Sequence, residues 1–270
     1  MRKRQRWLFE GLAVPLVAAG KFEEEAYRRG ARWVAGIDEV GVGPLAGPVV
    51  AAAAIMPRGL ENPRIKDSKL LSAKQRETLA VWIKAHAVSW AVGKVDAEEI
   101  DRTDILKAAH AAMAAAFKAL HPRPDHILID GSYEIPVSLL VESLTRYSGE
   151  NDANEECMRR EYTSNEYTNS DYTNSDLPVQ QAITKGDRLC FSVAAASILA
   201  KVARDNLMLE YERLYPQYLF AQHKGYASAL HLAALRQHGP SPIHRRSFRG
   251  VKELMPRRTD SAALPLFREG

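Results

Sequence analysis

The stretch GPVVAAAAI, residues 47–55, is apolar at every position. A strand that alternates apolar and polar residues buries one face, whereas a strand with no alternation has to be covered on both. Such a segment needs helices above and below it, which narrows the chain to layered α/β architectures. The segment ARWVAGI (31–37) reads as a strand just before it. Between the two lie the adjacent acids Asp38 and Glu39, then Gly41, Gly43 and Gly47.

The remaining pattern alternates strand with helix. SAKQRETLAVWIKAHA (72–87) carries a capping box, Ser72 with Gln75, ahead of an apolar face of Leu79, Trp82, Ile83 and His86. AVSWAVGKV (87–95) returns to strand. Asp96 with Glu99 predicts the cap of one longer helix with an apolar line of Ile105, Ala109, Met113, Ala116, Phe117 and Leu120, stopped by HPRP. HILID (126–130) is the next strand, and Asp130 falls at its carboxyl end, where open α/β sheets place ligands. A long helix is expected over RLCFSVAAASILAKVARDNLMLEYERLY, with a small-residue face from Ala194 to Ser197 and at Ala200. Another is expected over ASALHLAALRQH, stopped by Gly239-Pro240, with the basic tract HRRSFRGVK beyond.

The 270 residues and their 46% hydrophobic content suffice for one generous core. Cys157 and Cys190 show neither CxxC nor Cys/His spacing, so no disulfide framework or zinc site is suggested and a cytoplasmic setting is expected. The four late histidines, His223, His231, His238 and His244, match no metal spacing either and read as helix-surface and substrate-side residues. The N-terminus MRKRQRWLFEGLAVPLVAAGKF imitates a signal peptide, but Glu10 interrupts its apolar run, and it reads as an amphipathic surface helix. No run reaches the ~18 apolar residues of a membrane span.

Charge is uneven. Residues 146–176 hold eight acids against three arginines, a net of −5; with +4 for the whole chain, the rest carries +9. A body that basic suits a polyanionic partner, although a solvated basic surface has the same composition. Within the acidic stretch, EYTSNEYTNSDYTNSD (161–176) repeats every five residues without a core-forming period, and an inert disordered insertion is expected.

A single acid at a strand end is most simply a solvated rim; an adjacent pair changes the argument. Like charges at ~4 Å repel by about 4 kcal/mol at an effective dielectric near 20, so converging carboxylates either take up protons or hold a cation. Oxygen donors of this kind suit Mg²⁺ or Mn²⁺. A dinucleotide fingerprint is a poor alternative, because Gly47 falls one residue late for GxGxxG, Pro44 intrudes and two acids precede the turn. A Walker motif fails for want of Gly-Lys-Ser/Thr.

GIDEVGVGPLAGPVVAAAAI (36–55) resembles the opening motif of the ribonuclease HII family, the type 2 ribonucleases H. DSKLLS (67–72), ILIDG ending at Gly131, ITKGDRLCFSVAAASILAKVARD (183–205), YPQY with HKGY (215–226) and GPSPIHRRSF (239–248) follow in order, so the resemblance spans most of residues 30–250. It implies an α/β, RNase H-like fold: a central mixed sheet flanked by helices, with a helical C-terminal extension. The divisions expected are an N-terminal helical segment (1–29), a catalytic domain (30–205) with the repeat insertion near 148–176, the extension (206–250) and a flexible tail (251–270). The implied activity is cleavage of the RNA-containing strand of RNA–DNA hybrids and of duplex DNA at embedded ribonucleotides, leaving 5′-phosphate and 3′-hydroxyl ends.

By the same resemblance, Asp38, Glu39, Asp130 and Asp187 are the catalytic and metal-binding acids, around two Mn²⁺ or Mg²⁺ ions. Gly41, Val42, Gly43, Lys69 and Tyr226 are the substrate contacts, Tyr226 stacking on the sugar. Lys185 and Arg188 flank Asp187 and fit either a phosphate-facing or a solvated role. Members of the family usually carry arginine where this chain has Val42, so weaker affinity or a relaxed preference for a lone ribonucleotide is expected. Leu264, Leu266 and Phe267 resemble the short apolar peptides that engage the bacterial sliding clamp, with Ala263 in place of the usual glutamine. A monomer is expected. A catalytically idle nucleic-acid binder would also be basic, but it gains nothing from acids where phosphate must lie.

Overall fold

The computed structural model describes residues 20–145 and 177–255. The acidic repeats, residues 1–19 and the tail from residue 256, with its clamp-like peptide, lie outside the described residues. The described chain forms a five-stranded mixed sheet ordered β3-β2-β1-β4-β5. The strands are β1 (Val34–Val40), β2 (Val49–Ile55), β3 (Ser89–Val95), β4 (His126–Asp130) and β5 (Val179–Ile183). β1 runs antiparallel to β2 and parallel to β4, and β4 runs parallel to β5. Among the described residues no helix is long and apolar enough to cross a membrane.

By packing, the chain divides into two compact units. The first comprises the residues through Val40, Val50–Lys94 and Ala109–Ala203. The second comprises Gly41–Val49, Val95–Ala108 and the residues from Arg204 onward.

All seven residues of β2 are buried, as its lack of alternation requires. Ala52 and Ala54 share a cluster with Leu79, Ala80 and Ile83 of α2 (Ala73–His86) and with Ala194, Ala195 and Ile198 of α7 (Phe191–Leu214). The alanines of β2 and α7 let backbones approach closely, and Gly36 of β1 takes this furthest: a methyl group there would lie 2.1 Å from the Ser192 carbonyl carbon. α2 begins as its sequence dictates, Ser72 Oγ accepting from the Gln75 amide and Gln75 Oε1 from the Ser72 amide. α1 (Lys21–Arg28) lays Ala26 and Phe22 against Val34, Leu128 and Val193.

Three local expectations need correction. The helix predicted after Asp96 is two, α3 (Ala97–Arg102) and α4 (Ile105–Lys118); the Asp96 side chain makes no cap, and Asp104 accepts from the Lys107 amide to start the second. The long helix predicted from Arg188 breaks at Cys190, whose extended backbone separates α6 (Gly186–Leu189) from α7. Pattern reading also passed over α5 (Val137–Thr145) and β5, VQQAI, whose glutamines disguise an edge strand.

The second unit has its own core of Leu45, Met208, Tyr218, Phe220, Leu235 and Val251, which brings in α8 (Phe220–His223) and α9 (Ala229–His238). Asp101 of α3 accepts from the Arg246 and Ser247 amides and from Ser247 Oγ, fixing the turn that follows His244 and Arg245.

Candidate active site

Because β1, β4 and β5 are mutually parallel, their carboxyl ends share one edge of the sheet. Asp38 and Glu39 lie near the end of β1, Asp130 closes β4, and Asp187 follows β5 by four residues. Topology thus gathers residues up to 149 positions apart in the chain. The link between β4 and the segment after β5 is direct: the Gly186 amide donates to Asp130 Oδ1 at 2.7 Å. Gly186 can come that near because Lys185 adopts a left-handed conformation, φ 63°, turning the chain into α6.

Burial and mutual repulsion govern the electrostatics. Asp38 is 7% exposed and Asp187 4%. Loss of hydration raises Asp38 well above the usual carboxylate range; Glu39, Asp130 and Asp187 add repulsion, and a hydrogen bond from Ser197 opposes it. Burial and then Asp130 raise Glu39, with Lys69 opposing. Asp187 is pushed up to about 6, first by burial and then by Asp130 and Asp67, against Lys69 and Arg188. The four predicted acids therefore act on one another electrostatically, as a converging set must.

Three of the four acids already have a partner in the protein. Asp38 Oδ1 accepts from the Glu39 amide at 2.7 Å, Asp130 Oδ1 from Gly186, and Asp187 Oδ2 stands 3.9 Å from Lys69 Nζ. Among the described residues no three His, Cys, Asp or Glu side chains form a ready-made metal cage. The donor set nonetheless fits a hard divalent cation: carboxylate oxygens, those of Asp38 and Asp187 buried, whose mutual repulsion such an ion relieves.

Lys69 is exposed beside Asp187, at the turn Ser68–Leu70. That turn is set by Asp67, a buried acid to which sequence reasoning gave no role. Its Oδ1 accepts from the Lys69 amide, and its Oδ2 takes Arg188 Nε at 3.0 Å and Nη2 at 2.8 Å. Arg188 is thus committed to Asp67, while Lys185 is exposed. Ser197 of α7, which bonds to Asp38 and meets Ser68 Oγ at 2.9 Å, was also passed over. A serine within an alanine-rich helix face gives no signal in one sequence.

Gly41, Val42, Gly43 and Tyr226 belong to the second unit. Val42 and Tyr226 are exposed, at 41% and 45%. A methyl group on Gly43 would lie 3.9 Å from Tyr226 Cε1, so the tripeptide and the tyrosine are neighbours. Gly41 has φ 94°, and a side chain there would collide with Arg204 Nε at 2.3 Å; glycine is required twice over. Of the four late histidines, His238 is exposed on its helix as expected and His223 is half-buried, but two are not surface residues. His231 and His244 are fully buried and joined Nε2 to Nε2 at 3.0 Å, and His231 Nδ1 bonds the Tyr226 carbonyl at 2.8 Å.

A mixed sheet whose parallel strands deliver four carboxylates to one edge, with lysine and arginine beside them, defines an RNase H-like nuclease. Comparison with known proteins narrows this. The Ribonuclease HII family model matches residues 35–156 and 162–251. Curated relatives named Ribonuclease HII include one from Geobacter sulfurreducens, 45% identical over 88% of this chain and 92% of its own length. Another, from Syntrophobacter fumaroxidans, is 43% identical over 90% and 86%. Among solved structures, ribonuclease H2 from Pyrococcus horikoshii matches with a TM-score of 0.60 at 25% identity, covering 82% of this chain and 96% of that one. RNase HII from Archaeoglobus fulgidus, solved in complex with PCNA, matches at 0.54 and 27%, covering 80% and 95%. The chain belongs to the ribonuclease HII family and is a hydrolase of the ribonuclease H class.

Proposed function

We propose that this enzyme hydrolyses the RNA-containing strand of RNA–DNA hybrids and incises duplex DNA at embedded ribonucleotides, leaving 5′-phosphate and 3′-hydroxyl ends. The observation that carries the reading is the gathering of Asp38, Glu39, Asp130 and Asp187 at one sheet edge, with Asp187 held near 6 and Asp38 raised well above the usual carboxylate range. Acids placed where they repel one another cost stability, and a cation-dependent phosphodiester cleavage is the chemistry that rewards the arrangement.

Asp38, Glu39, Asp130 and Asp187 would hold two divalent ions, Mn²⁺ or Mg²⁺, which when bound activate water and stabilise the departing oxygen. The chain's own residues do the rest. Asp67 orients Lys69 and Arg188 so that positive charge borders the acids without neutralising them. Ser197 fixes the Asp38 carboxyl. Discrimination of RNA from DNA requires contact with the 2′-hydroxyl, which donates and accepts hydrogen bonds. We assign it to Gly41, Val42 and Gly43, with Tyr226 against the sugar; the tripeptide starts two positions after Glu39 in the chain. Sliding-clamp engagement by Leu264, Leu266 and Phe267 is proposed on the sequence likeness, with the PCNA complex of the Archaeoglobus relative as a parallel.

The test is incubation with a duplex bearing one ribonucleotide, in Mg²⁺, Mn²⁺ or EDTA, beside Asp38→Asn. Incision at the ribonucleotide in either metal, lost in EDTA and in the variant, is expected. Cleavage that persists in EDTA contradicts the reading.

A further inference from the structure

Two of the largest fully buried side chains in the described residues are arginines, Arg204 and Arg245, each 0% exposed. Burying a guanidinium is expensive unless its N–H groups are satisfied. Here they are satisfied by backbone carbonyls, nearly all from one loop. Arg245 Nη2 donates to Gly41 O at 2.5 Å, Nη1 to Val42 O at 2.9 Å, and Nε and Nη2 to Gly47 O at 3.0 and 2.9 Å. Arg204 Nε donates to Pro48 O at 3.0 Å, Nη2 to Ala46 O at 3.1 Å and Nη1 to Lys224 O at 3.0 Å. Its guanidinium carbon also lies 6.0 Å from the centre of the Tyr226 ring.

A trans peptide directs the carbonyl of one residue and the amide of the next to opposite sides. With Gly41 O and Val42 O turned onto Arg245, the amides of Val42 and Gly43 face away from it, and among the described residues neither meets an acceptor. Two successive free amides form a concave donor site for an oxygen-rich group. The fork behind them reinforces it, because a cation hydrogen-bonded to a carbonyl polarises the peptide and strengthens its N–H as a donor. Burial and then Arg204 push Arg245 down to about 9, which leaves it charged at neutral pH.

We infer that Arg245, with Arg204 beside it, is a positioning residue for ribose recognition: its fork turns the Val42 and Gly43 amides outward and holds them in register with Tyr226. This rests on the assignment of that tripeptide to the substrate. It also supplies positive charge under a loop whose exposed side chain, Val42, has none. Lysine cannot replace the fork, since an ammonium is a point charge that cannot bind three carbonyls in one plane.

The experiment compares wild type, Arg245→Ala and Arg245→Lys on a duplex with one ribonucleotide and on its all-DNA counterpart, with and without millimolar guanidinium ion. For Arg245→Ala we expect KM to rise about tenfold or more with kcat within about threefold, and guanidinium to restore most of the loss, which a general packing defect would not allow. Arg245→Lys should show the same KM rise and carries the test if the alanine variant fails to fold. Unchanged KM in a folded variant overturns the inference, as does a loss confined to kcat. If wild type cuts the ribonucleotide duplex and the variants match it, only the inference fails; if wild type does not cut, the assignment beneath it fails too.

Discussion

The Gly186 amide and Asp130 Oδ1, 2.7 Å apart, tie the end of β4 to the turn that presents Asp187. One acid therefore holds another in place through the backbone, and its structural and electrostatic roles can be separated by substitution.

Asp130→Asn retains an acceptor for Gly186 and removes a charge that repels Asp38, Glu39 and Asp187, so it should be no less stable than wild type, yet lose cleavage by about a hundredfold or more. Asp130→Ala leaves the Gly186 amide without a partner and should cost about 1–3 kcal/mol in addition. Urea titrations beside single-turnover cleavage check both.

Asp38 should behave as a residue kept for function at the expense of stability. In metal-free buffer Asp38→Asn removes a buried acid whose charged form is opposed by burial, Glu39, Asp130 and Asp187, and should be more stable than wild type by about 1–3 kcal/mol. Added Mn²⁺ should raise the Tm of wild type and leave that of the variant nearly unchanged.

The buried histidines predict an acid limit to stability. His244 Nδ1 accepts from the Ser241 amide, so its Nε2 carries the proton and donates to His231 Nε2, whose own Nδ1–H reaches the Tyr226 carbonyl. Both rings are thereby neutral. Burial, then His231 and His223, lower His244 from the ordinary histidine value of 6.5 to about 3. An unfolded histidine takes up a proton below about pH 6.5 while the folded one does not, so stability is full above that pH and falls toward pH 3. The slope should approach about 1.4 kcal/mol per pH unit for this group, and His244→Asn should flatten it in Tm measurements between about pH 6 and 4.

Val42→Arg should add a cation at an exposed position of the substrate tripeptide. We expect tighter binding of a single-ribonucleotide duplex and a steeper salt dependence, by about one phosphate contact. Equal affinity and equal slope would place residue 42 away from the nucleic acid.

What the chain revealed in advance followed from physics that acts locally. The unbroken apolar run of β2, the Ser72–Gln75 box and the apolar HILID strand are each specified by neighbours in sequence, and all three form as read. The convergence of Asp38, Asp130 and Asp187 is specified by strand order, which no local pattern encodes; family resemblance suggested it. Most opaque were polar groups used inside. HRRSFRGVK reads only as a basic tract, yet Arg245 is wholly buried while Arg246 is exposed, because Arg245 and Arg204 turn inward to donate to six loop and turn carbonyls. Asp67 and Ser197 escaped notice for the same reason: their roles depend on partners more than 100 residues away.

The most direct measurement is an anomalous difference map from crystals of the protein grown with Mn²⁺. Peaks bounded by Asp38, Glu39, Asp130 and Asp187 are predicted, and they should vanish in Asp38→Asn. Manganese bound elsewhere, in crystals of protein that still cuts ribonucleotide-containing DNA, would show that these four acids are not the centre of the reaction.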